Sequence, residues 1–156
     1  MKRIPLSQGK FAIVDDEDYQ EMSKHQWILS NKGYAIRKKS WDGQRKTVGL
    51  HRELVQAPDG FEIDHINGDP LDNRKQNLRV CTRQDNCYNS GKRKDNTSGY
   101  KGVSWHVREK KWRAQIKQNK KRFYLGYYSV KEEAARAYDE AAQKLHGEYA
   151  RPNLKG

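Results

Sequence analysis

Hydrophobic and polar positions alternate with a period of two in three runs near the end of the chain. The runs are YKGVSWHV, KWRAQIKQ and KRFYLGYY, within residues 100–128. Such alternation predicts strands with one buried face, and the NKK between the last two runs predicts a turn. The following SVKEEAARAYDEAAQKLHGEYA has helical periodicity, with an apolar stripe of Ala134, Tyr138, Ala141 and Leu145. The pattern predicts a three-stranded antiparallel sheet packed on one helix.

The first 90 residues carry shorter periodic segments. KFAIVDDEDYQEMSK predicts a strand and then a helix with an acidic first turn, and GYAIRKK with RKTVGLHREL predicts a hairpin around WDGQ. Residues 61–90 predict a strand, a loop with Gly68-Asp69-Pro70, a strand near Leu78–Cys81, and a polar helix from about Thr82. This part is therefore predicted to be a small antiparallel layer followed by strand, loop, strand and helix.

A segment without apolar residues, GKRKDNTSG at 91–99, separates the two patterns. Glycine, serine and charged residues without apolar neighbours are typical of a linker. We therefore predict an α+β protein with domains at 1–90 and 100–154 joined by a linker at 91–99. Hydrophobic residues make up 34% of the chain and charged residues 33%, so each domain should have a thin core.

The positive charge of the chain lies mostly in one segment. Of the net +12, residues 91–128 contribute twelve Lys/Arg against two Asp/Glu, whereas residues 1–90 hold fifteen against thirteen. A basic block interleaved with aromatic residues favours a nucleic-acid partner, because phosphate neutralisation releases counterions. The alternative is a solvated basic surface that aids solubility. A membrane partner is disfavoured, since the block alternates like a strand and is not an amphipathic helix.

The remaining composition bears on the cellular compartment. The chain has no apolar run of about 20 residues and no signal-peptide pattern, which predicts an intracellular, cytoplasmic protein. Its two cysteines, Cys81 and Cys87, are too few for a four-cysteine site. We therefore expect no structural zinc.

The stretch EIDHINGDPLDN gathers carboxylates around one histidine in this basic chain. Asp64 and His65 end the predicted strand, Asn77 follows in the loop, and Asn86 opens the predicted helix. Together LHRELV, DHINGDPLDNRKQNLRV and QDNCYN resemble the HNH endonuclease motif, in the H-N-N form of phage and intron-encoded homing endonucleases. The resemblance covers about residues 45–90 and implies a small ββα-metal nuclease domain with N-terminal antiparallel strands.

Phosphodiester hydrolysis explains these residue types. It needs a base to take a proton from water and a divalent cation to stabilise charge on the phosphate oxygens. His65 has a suitable pKa for the base, and Asp64 offers hard oxygen to Mg²⁺ or Mn²⁺. The resemblance implies that Asn86 is a second ligand of one metal ion, and that Asn77 buttresses the loop that orients His65.

Each of these residues also has a simpler interpretation. An Asp or Asn beside a turn is usually a turn former, and a lone histidine is usually a surface residue. The joint pattern outweighs those readings for the four motif residues. His51, in LHREL, is ranked below them because it could equally end a structural strand. Asp69, Asp72 and Asn73 are interpreted as loop residues, with metal or backbone contacts as the alternative.

Residues 100–153 resemble the AP2 DNA-binding domain through YKGV, LGYYSVKEEAARAYDEAA and GEYARPN. The resemblance implies a three-stranded sheet that lies in the DNA major groove. If Trp112, Ala114 and Ile116 face the helix, the residues between them face away, and Phe123 with Leu125 packs inward. The first strand departs from the plant pattern, so the target sequence does not transfer. The residues implied to contact DNA are Lys101, Ser104, His106, Arg113, Gln115, Lys117, Arg122 and Tyr124.

The two resemblances together predict a site-specific, metal-dependent DNA endonuclease of homing type, from a phage or bacterial genome. The partner is double-stranded DNA, and no small-molecule substrate is expected. One HNH centre meets one strand, so a monomer should nick. The rival function is a non-catalytic DNA-binding regulator that retains the nuclease fold, and the intact Asp64, His65 and Asn86 favour the enzyme.

Overall fold

The computed structural model describes residues 1–154, with only the backbone at residue 41, and forms two compact units. These are Met1–Arg83 and Gln84–Gly156. Within the described residues, each of the four sheets is antiparallel, and four α-helices accompany them. The chain is therefore a mixed α and β protein built on small antiparallel sheets, in line with the predicted α+β class. None of the helices described is long and apolar enough to cross a membrane.

The first unit begins with two small sheets around one core. Strands β1 (Lys2–Pro5) and β2 (Phe11–Val14) pair, helix α1 (Asp16–Met22) follows, and β3 (Ile28–Leu29), β4 (Ala35–Trp41) and β5 (Gln44–Gly49) form the second sheet. The core includes Ile4, Val14, Trp27 and Leu50, all nearly inaccessible to solvent. The Trp27 indole N–H donates to the Met22 carbonyl at 2.8 Å, so its one polar atom is satisfied inside this core.

The segment LHREL, interpreted above as the end of a strand, is a short helix, α2 (Leu50–Leu54). The strand β5 stops at Gly49, where an added Cβ would meet Cε1 of His51 at 2.6 Å. A side chain at this position would therefore displace the His51 ring from its present position.

A second hairpin, β6 (Glu62–His65) with β7 (Leu78–Cys81), carries the predicted motif. Its long loop ends in a 3₁₀ turn at Lys75–Asn77 and is fastened to β2. The Ile13 N–H donates to the Leu71 carbonyl, and the Asn73 N–H donates to the Ile13 carbonyl, both at 2.8 Å. The N-terminal strands thus support the loop of the motif. The ββα-metal arrangement itself remains a prediction.

The second unit consists of α3 (Arg83–Asn89, from Gln84 onward), β8 (Val103–His106), β9 (Lys111–Gln118), β10 (Lys121–Tyr128) and α4 (Lys131–His146). The sheet has the order β10-β9-β8, and α4 packs on it through Ala134 and Tyr138, with Ala141 and Leu145 partly buried beside them. The three-stranded sheet on one helix and the apolar stripe are therefore as predicted.

Phe123 differs from its prediction as an inward, packed residue, because it is 42% exposed. It lies opposite the buried Ile116, so it points to the predicted face, but β10 is an edge strand. Helix α4 packs chiefly over the central strand β9 and leaves this end of the edge strand uncovered. Leu125, farther along β10, does pack against the core.

Part of the predicted linker belongs to the fold of the second unit. Ser98 is 4% exposed and its hydroxyl donates to the Val103 carbonyl at 2.8 Å. Asn96 donates to the Tyr100 carbonyl and accepts from the Gly99 N–H. These bonds close a turn over residues 96–100 ahead of β8. The domain boundaries at 90 and 100 remain predictions.

Candidate functional site

Asp64 and His65 lie at the end of β6 and are each 5% exposed. Arg79 stands directly opposite Asp64 on β7, and its Nε and Nη2 both donate to Asp64 Oδ2, at 2.9 and 2.7 Å. A buried carboxylate requires such compensation to stay ionised. Arg79 therefore fixes the orientation of the Asp64 carboxylate through one of its two oxygens.

The imidazole of His65 is oriented by Asn73, which is 1% exposed. His65 Nε2 lies 3.3 Å from Asn73 Oδ1, and an amide oxygen can only accept, so Nε2 is the protonated nitrogen in this arrangement. Burial lowers the pKa of His65, opposed by this bond and by the charges of Asp64, Asp69 and Asp72. In its neutral form the ring thus carries its lone pair on Nδ1 in this arrangement.

Asn77 fastens the loop between β6 and β7 at three points. Its Oδ1 accepts from the Asn67 N–H at 3.0 Å, and its Nδ2 donates to Asn67 Oδ1 at 3.0 Å and to the Asp72 carbonyl at 2.7 Å. Asp72 is paired with Arg74, whose hydrogen bonds lower the pKa of that carboxyl. Asp69 accepts from the Leu71 N–H and closes a turn. These bonds hold the loop above His65.

The rings of Tyr34, His51 and His65 form a cluster. The ring centroids of Tyr34 and His51 lie 5.8 and 5.4 Å from that of His65, and 5.3 Å from each other. His51 Nδ1 is buried without a hydrogen-bond partner among the described residues. Burial, followed by the charges of His65 and Arg52, lowers the pKa of His51 to about 4. The His51 ring is therefore neutral and lies against the His65 ring.

Sequence reasoning missed Tyr34 and undervalued Asn73. Tyr34 lies in the N-terminal hairpin and reaches the site only through the tertiary fold, so no local pattern marks it. Asn73 was interpreted as a loop residue, and the Asp-Asn-Arg run around it is also a common turn composition. Its burial, which the loop hydrogen bonds create, is the feature that distinguishes it.

Asn86 lies on α3, and the second unit holds that helix firmly. The rings of Tyr88 and His146 stack with centroids 3.7 Å apart and planes 8° apart. Lys101 Nζ donates to the carbonyls of Tyr88 and Ser90, both at 2.7 Å, at the C-terminal end of α3. Burial, followed by the charge of Arg151, lowers the pKa of Lys101 to about 8. Lys101, implied above to contact DNA, thus has its ammonium directed at α3.

Most of the other residues implied to contact DNA share the outer face of the sheet. Cross-strand pairing joins Ser104 to Arg113, Tyr124 to Gln115, and Arg122 to Lys117. Arg113 Nη2 lies 3.4 Å from Ser104 Oγ, and its Cζ lies 6.0 Å from the centre of the Tyr124 ring. Arg113 Nε and Gln115 Oε1 have no hydrogen-bond partner within residues 1–154.

His106 lies at the end of β8, opposite Lys111, and therefore on the same outer face. Its Nδ1 accepts from the Glu109 N–H at 3.3 Å, and its ring lies 5.1 Å from that of Tyr127. The sheet therefore presents a mixed row of basic, amide and aromatic groups away from α4. Such a row can hydrogen-bond base edges and phosphates.

Comparison with known proteins agrees with both halves of this description. Residues 56–88 match the HNH endonuclease family model, and residues 98–148 match the AP2 domain model. A protein of Acanthamoeba polyphaga mimivirus, "Uncharacterized HNH endonuclease L560", is 31% identical over 151 residues, covering 93% of this chain and 75% of its own. This chain belongs to the HNH endonuclease family. It combines an HNH domain with an AP2 domain.

Two further relatives match different shares of the chain. "Protein 3.8" of Escherichia phage T7 is 36% identical over 119 residues, covering 73% of this chain and 98% of the phage protein. "Ethylene-responsive transcription factor ERN3" of Medicago truncatula is 54% identical over 46 residues, only 28% of this chain and 19% of the plant protein. The similarity to the mimivirus and phage proteins spans much more of the chain than that to the plant factor.

Proposed function

We propose that this protein is a site-specific DNA endonuclease that hydrolyses one phosphodiester per active site, with His65 as the general base. The observation that carries the proposal is the buried His65 ring, held by Asn73 through Nε2 and next in sequence to the buried Asp64. A general base must be neutral and fixed in orientation, and the lowered pKa and the hydrogen bond favour both.

In this mechanism the Nδ1 lone pair of His65 accepts a proton from the attacking water. Asn73 keeps the second nitrogen protonated, so Nδ1 is the basic atom. Asn77 holds the loop from which Asn73 extends, through its bonds to Asn67 and Asp72. Tyr34 and His51 flank the ring and limit its rotation.

Asp64 and Asn86 are the proposed ligands of one Mg²⁺ or Mn²⁺ ion. No group of three or more His, Cys, Asp or Glu side chains suited to a metal occurs in the described part of the chain. Mg²⁺ does not need one, since it commonly binds one or two protein oxygens together with water and substrate phosphate. A buried carboxylate and a side-chain amide fit that chemistry. When bound, the ion stabilises negative charge on the phosphate oxygens.

The AP2 domain is proposed to bind double-stranded DNA and to select the site. Arginine and glutamine on the outer sheet face can pair with guanine and adenine edges, and the lysines can pair with phosphates. Arg113 Nε and Gln115 Oε1, which have no intramolecular partner, are suited to such contacts. A monomer with one such centre nicks one strand, as a homing-type enzyme acting near its own gene.

The rival function, a DNA-binding regulator without catalysis, is favoured by one observation. Arg79 donates twice to Asp64, and a cation has to share that carboxylate with it. The rival predicts DNA binding without strand cleavage under any metal condition.

A plasmid carrying the DNA that flanks the gene separates the two functions. Supercoiled plasmid is incubated with Mg²⁺ or Mn²⁺, with an EDTA control, and conversion to open-circular and linear DNA is followed. We expect metal-dependent open circles from the wild type and a strongly reduced rate of nicking from His65→Ala, with His25→Ala as the matched histidine control. Binding without cleavage in either metal would support the regulator.

A further inference from the structure

The hairpin of β4 and β5 carries a concentration of positive charge that the proposed function does not use. Side chains from Lys38 to Thr47 are exposed, apart from Trp41, which lies outside the described side chains. The turn at its tip places Asp42 and Gly43 at φ 53° and 72°, the left-handed pair of a tight two-residue turn. The hairpin thus presents both of its strands to solvent.

The charge of the first unit is unevenly distributed. Residues 1–83 hold fifteen Lys/Arg and twelve Asp/Glu. Residues 35–49 alone hold five of these Lys/Arg and one of these Asp/Glu. The rest of the unit therefore has ten Lys/Arg against eleven Asp/Glu, a net of −1, while the hairpin is at +4. The basic hairpin is local and does not reflect a generally basic unit.

Intramolecular partners account for only part of this charge. Arg37, at the base, is paired with Glu53 through two bonds of 3.0 and 2.6 Å, and both side chains are largely buried. Lys39 reaches the same carboxylate only at 3.9 Å. Within residues 1–154, Lys38, Arg45 and Lys46 make no ion pair. Arg37 therefore anchors the hairpin, and the charges beyond it face solvent.

The strand register works against the stability of the hairpin in isolation. Lys39 and Lys46 are direct cross-strand partners, and like charges in that position are destabilising. At the base, a cavity of about 460 Å³ is lined by Lys24, His25, Arg37 and Lys38, among others. A polyanion would relieve the repulsion between Lys39 and Lys46.

We infer that the hairpin at residues 35–49 is a second DNA-binding element, which contacts the phosphate backbone of duplex DNA independently of the AP2 sheet. This inference rests on the proposed function, since it takes DNA as the partner. Exposed lysines and an arginine on both strands give charge complementarity to phosphates. The hairpin has no buried polar pattern for reading bases, so its contribution should be independent of base sequence.

The test compares Lys46→Gln and Lys46→Glu with Lys32→Gln and Lys32→Glu, an exposed lysine of the same unit outside the hairpin. Full-length proteins bind random-sequence DNA duplexes in EDTA over a series of salt concentrations. One lost phosphate contact lowers the slope of log K against log salt by about 0.9. We expect this decrease for both Lys46 variants and no decrease for the Lys32 variants.

Thermal unfolding of the same proteins separates binding from folding. Lys46→Glu places opposite charges across the strands, so its Tm should equal or exceed that of the wild type while its DNA affinity falls. Equal slopes and affinities in the Lys46 and Lys32 variants would overturn the inference and leave the nuclease proposal standing. If the Lys46 variants lose affinity for an RNA duplex and not for a DNA duplex, the inference would also be overturned. A wild type that binds no DNA would refute both.

Discussion

The two units use their polar residues in opposite ways. In the first unit the polar residues of the motif, Asp64, His65, Asn73 and Asn77, are each at most 7% exposed and bonded to their neighbours. In the second, Lys111, Lys117, Arg122 and Tyr124 remain exposed on strands whose inner face packs on α4. Buried and mutually bonded groups suit fixed chemistry, whereas exposed ones suit contact with a large partner.

This difference implies that cleavage and recognition can be impaired separately. Substitutions around His65 should lower the rate of strand cleavage and leave DNA affinity unchanged. Substitutions on the outer sheet face should lower affinity and leave the rate on saturating DNA unchanged. The following tests are ordered from the largest expected effect to the smallest.

Replacing His65 should produce the largest effect. His65→Ala removes the proposed base, and a positioned base typically contributes about two to four orders of magnitude in rate. We expect that loss in a nicking time course, with DNA affinity near wild type in a parallel gel-shift titration. His65→Ala that cuts at the wild-type rate would exclude His65 as the base and leave His51 as the next residue to test.

Acid should destabilise the first unit through His51. The folded-state pKa of His51 is about 4, against 6.5 for the exposed residue, so the unfolded state binds the proton more tightly. Stability is therefore full above pH 6.5 and falls as the pH decreases towards 4, by about 3 kcal/mol for this ring alone. Urea unfolding at neutral and acidic pH measures the loss.

His51→Gln should reduce this dependence on pH, and His25→Ala serves as the control. His65, whose pKa is also lowered, contributes in the same direction and would remain in the His51 variant. An acid sensitivity identical in His51→Gln and the wild type would show that His51 does not remain neutral in the folded protein.

Replacing an arginine on the sheet should weaken specific binding. Arg113 lies between Ser104 and Tyr127 on the outer face, and its guanidinium is close to the Tyr124 ring. If it contacts a base edge, Arg113→Ala should weaken binding by about 1–3 kcal/mol, and Arg122→Ala should do the same. Arg136→Ala, on α4 away from the sheet face, is the control. Unchanged affinity in both sheet variants would contradict recognition through this face.

Removing the Asn73 side chain should impair cleavage by disorienting His65. Positioning groups of this kind typically contribute about tenfold to a hundredfold, and we expect such a loss in Asn73→Ala with unchanged DNA affinity. Asn73→Asp keeps an oxygen acceptor and should recover part of the rate, while Asn31→Ala is the exposed control.

The imidazole ¹⁵N resonances of His65 provide a readout that a purely structural role would not change. In the wild type they should report a proton on Nε2, and in Asn73→Ala a mixture of tautomers. A proton on Nδ1 in the wild type would refute the assignment of Nδ1 as the basic atom.

Local pattern predicted those elements whose partners lie close in sequence. Strands β8 to β10, α4 and the hairpin of β4 and β5 followed from periodicity and turn residues. The helix α2 did not, because five residues are too few to show a helical period. The contact of His65 with Asn73 and Tyr34 depends on tertiary folding, so the motif could propose His65 as the base and Asn77 as a support of its loop but not identify Asn73 or Tyr34.

The unit to which α3 belongs depends on contacts between residues that are distant in sequence. Disturbing those contacts gives the smallest effect expected in this series of tests. The HNH motif places this helix with residues 1–90, whereas its contacts place residues 84–89 with the second unit.

Tyr88 stacks on His146, and a pair of this kind is worth about 0.5–1.5 kcal/mol. Tyr88→Leu should therefore lower the unfolding free energy of the AP2 unit by about that amount. The Tyr88 hydroxyl also accepts from the Asn119 N–H at 3.2 Å, and Tyr88→Phe separates this bond from the stack. Because Asn86 is carried by the same helix, Tyr88→Leu should also slow cleavage more than it weakens DNA binding. Urea unfolding and nicking assays measure the two effects, and a variant with wild-type stability and cleavage would support an independent nuclease domain ending at residue 90.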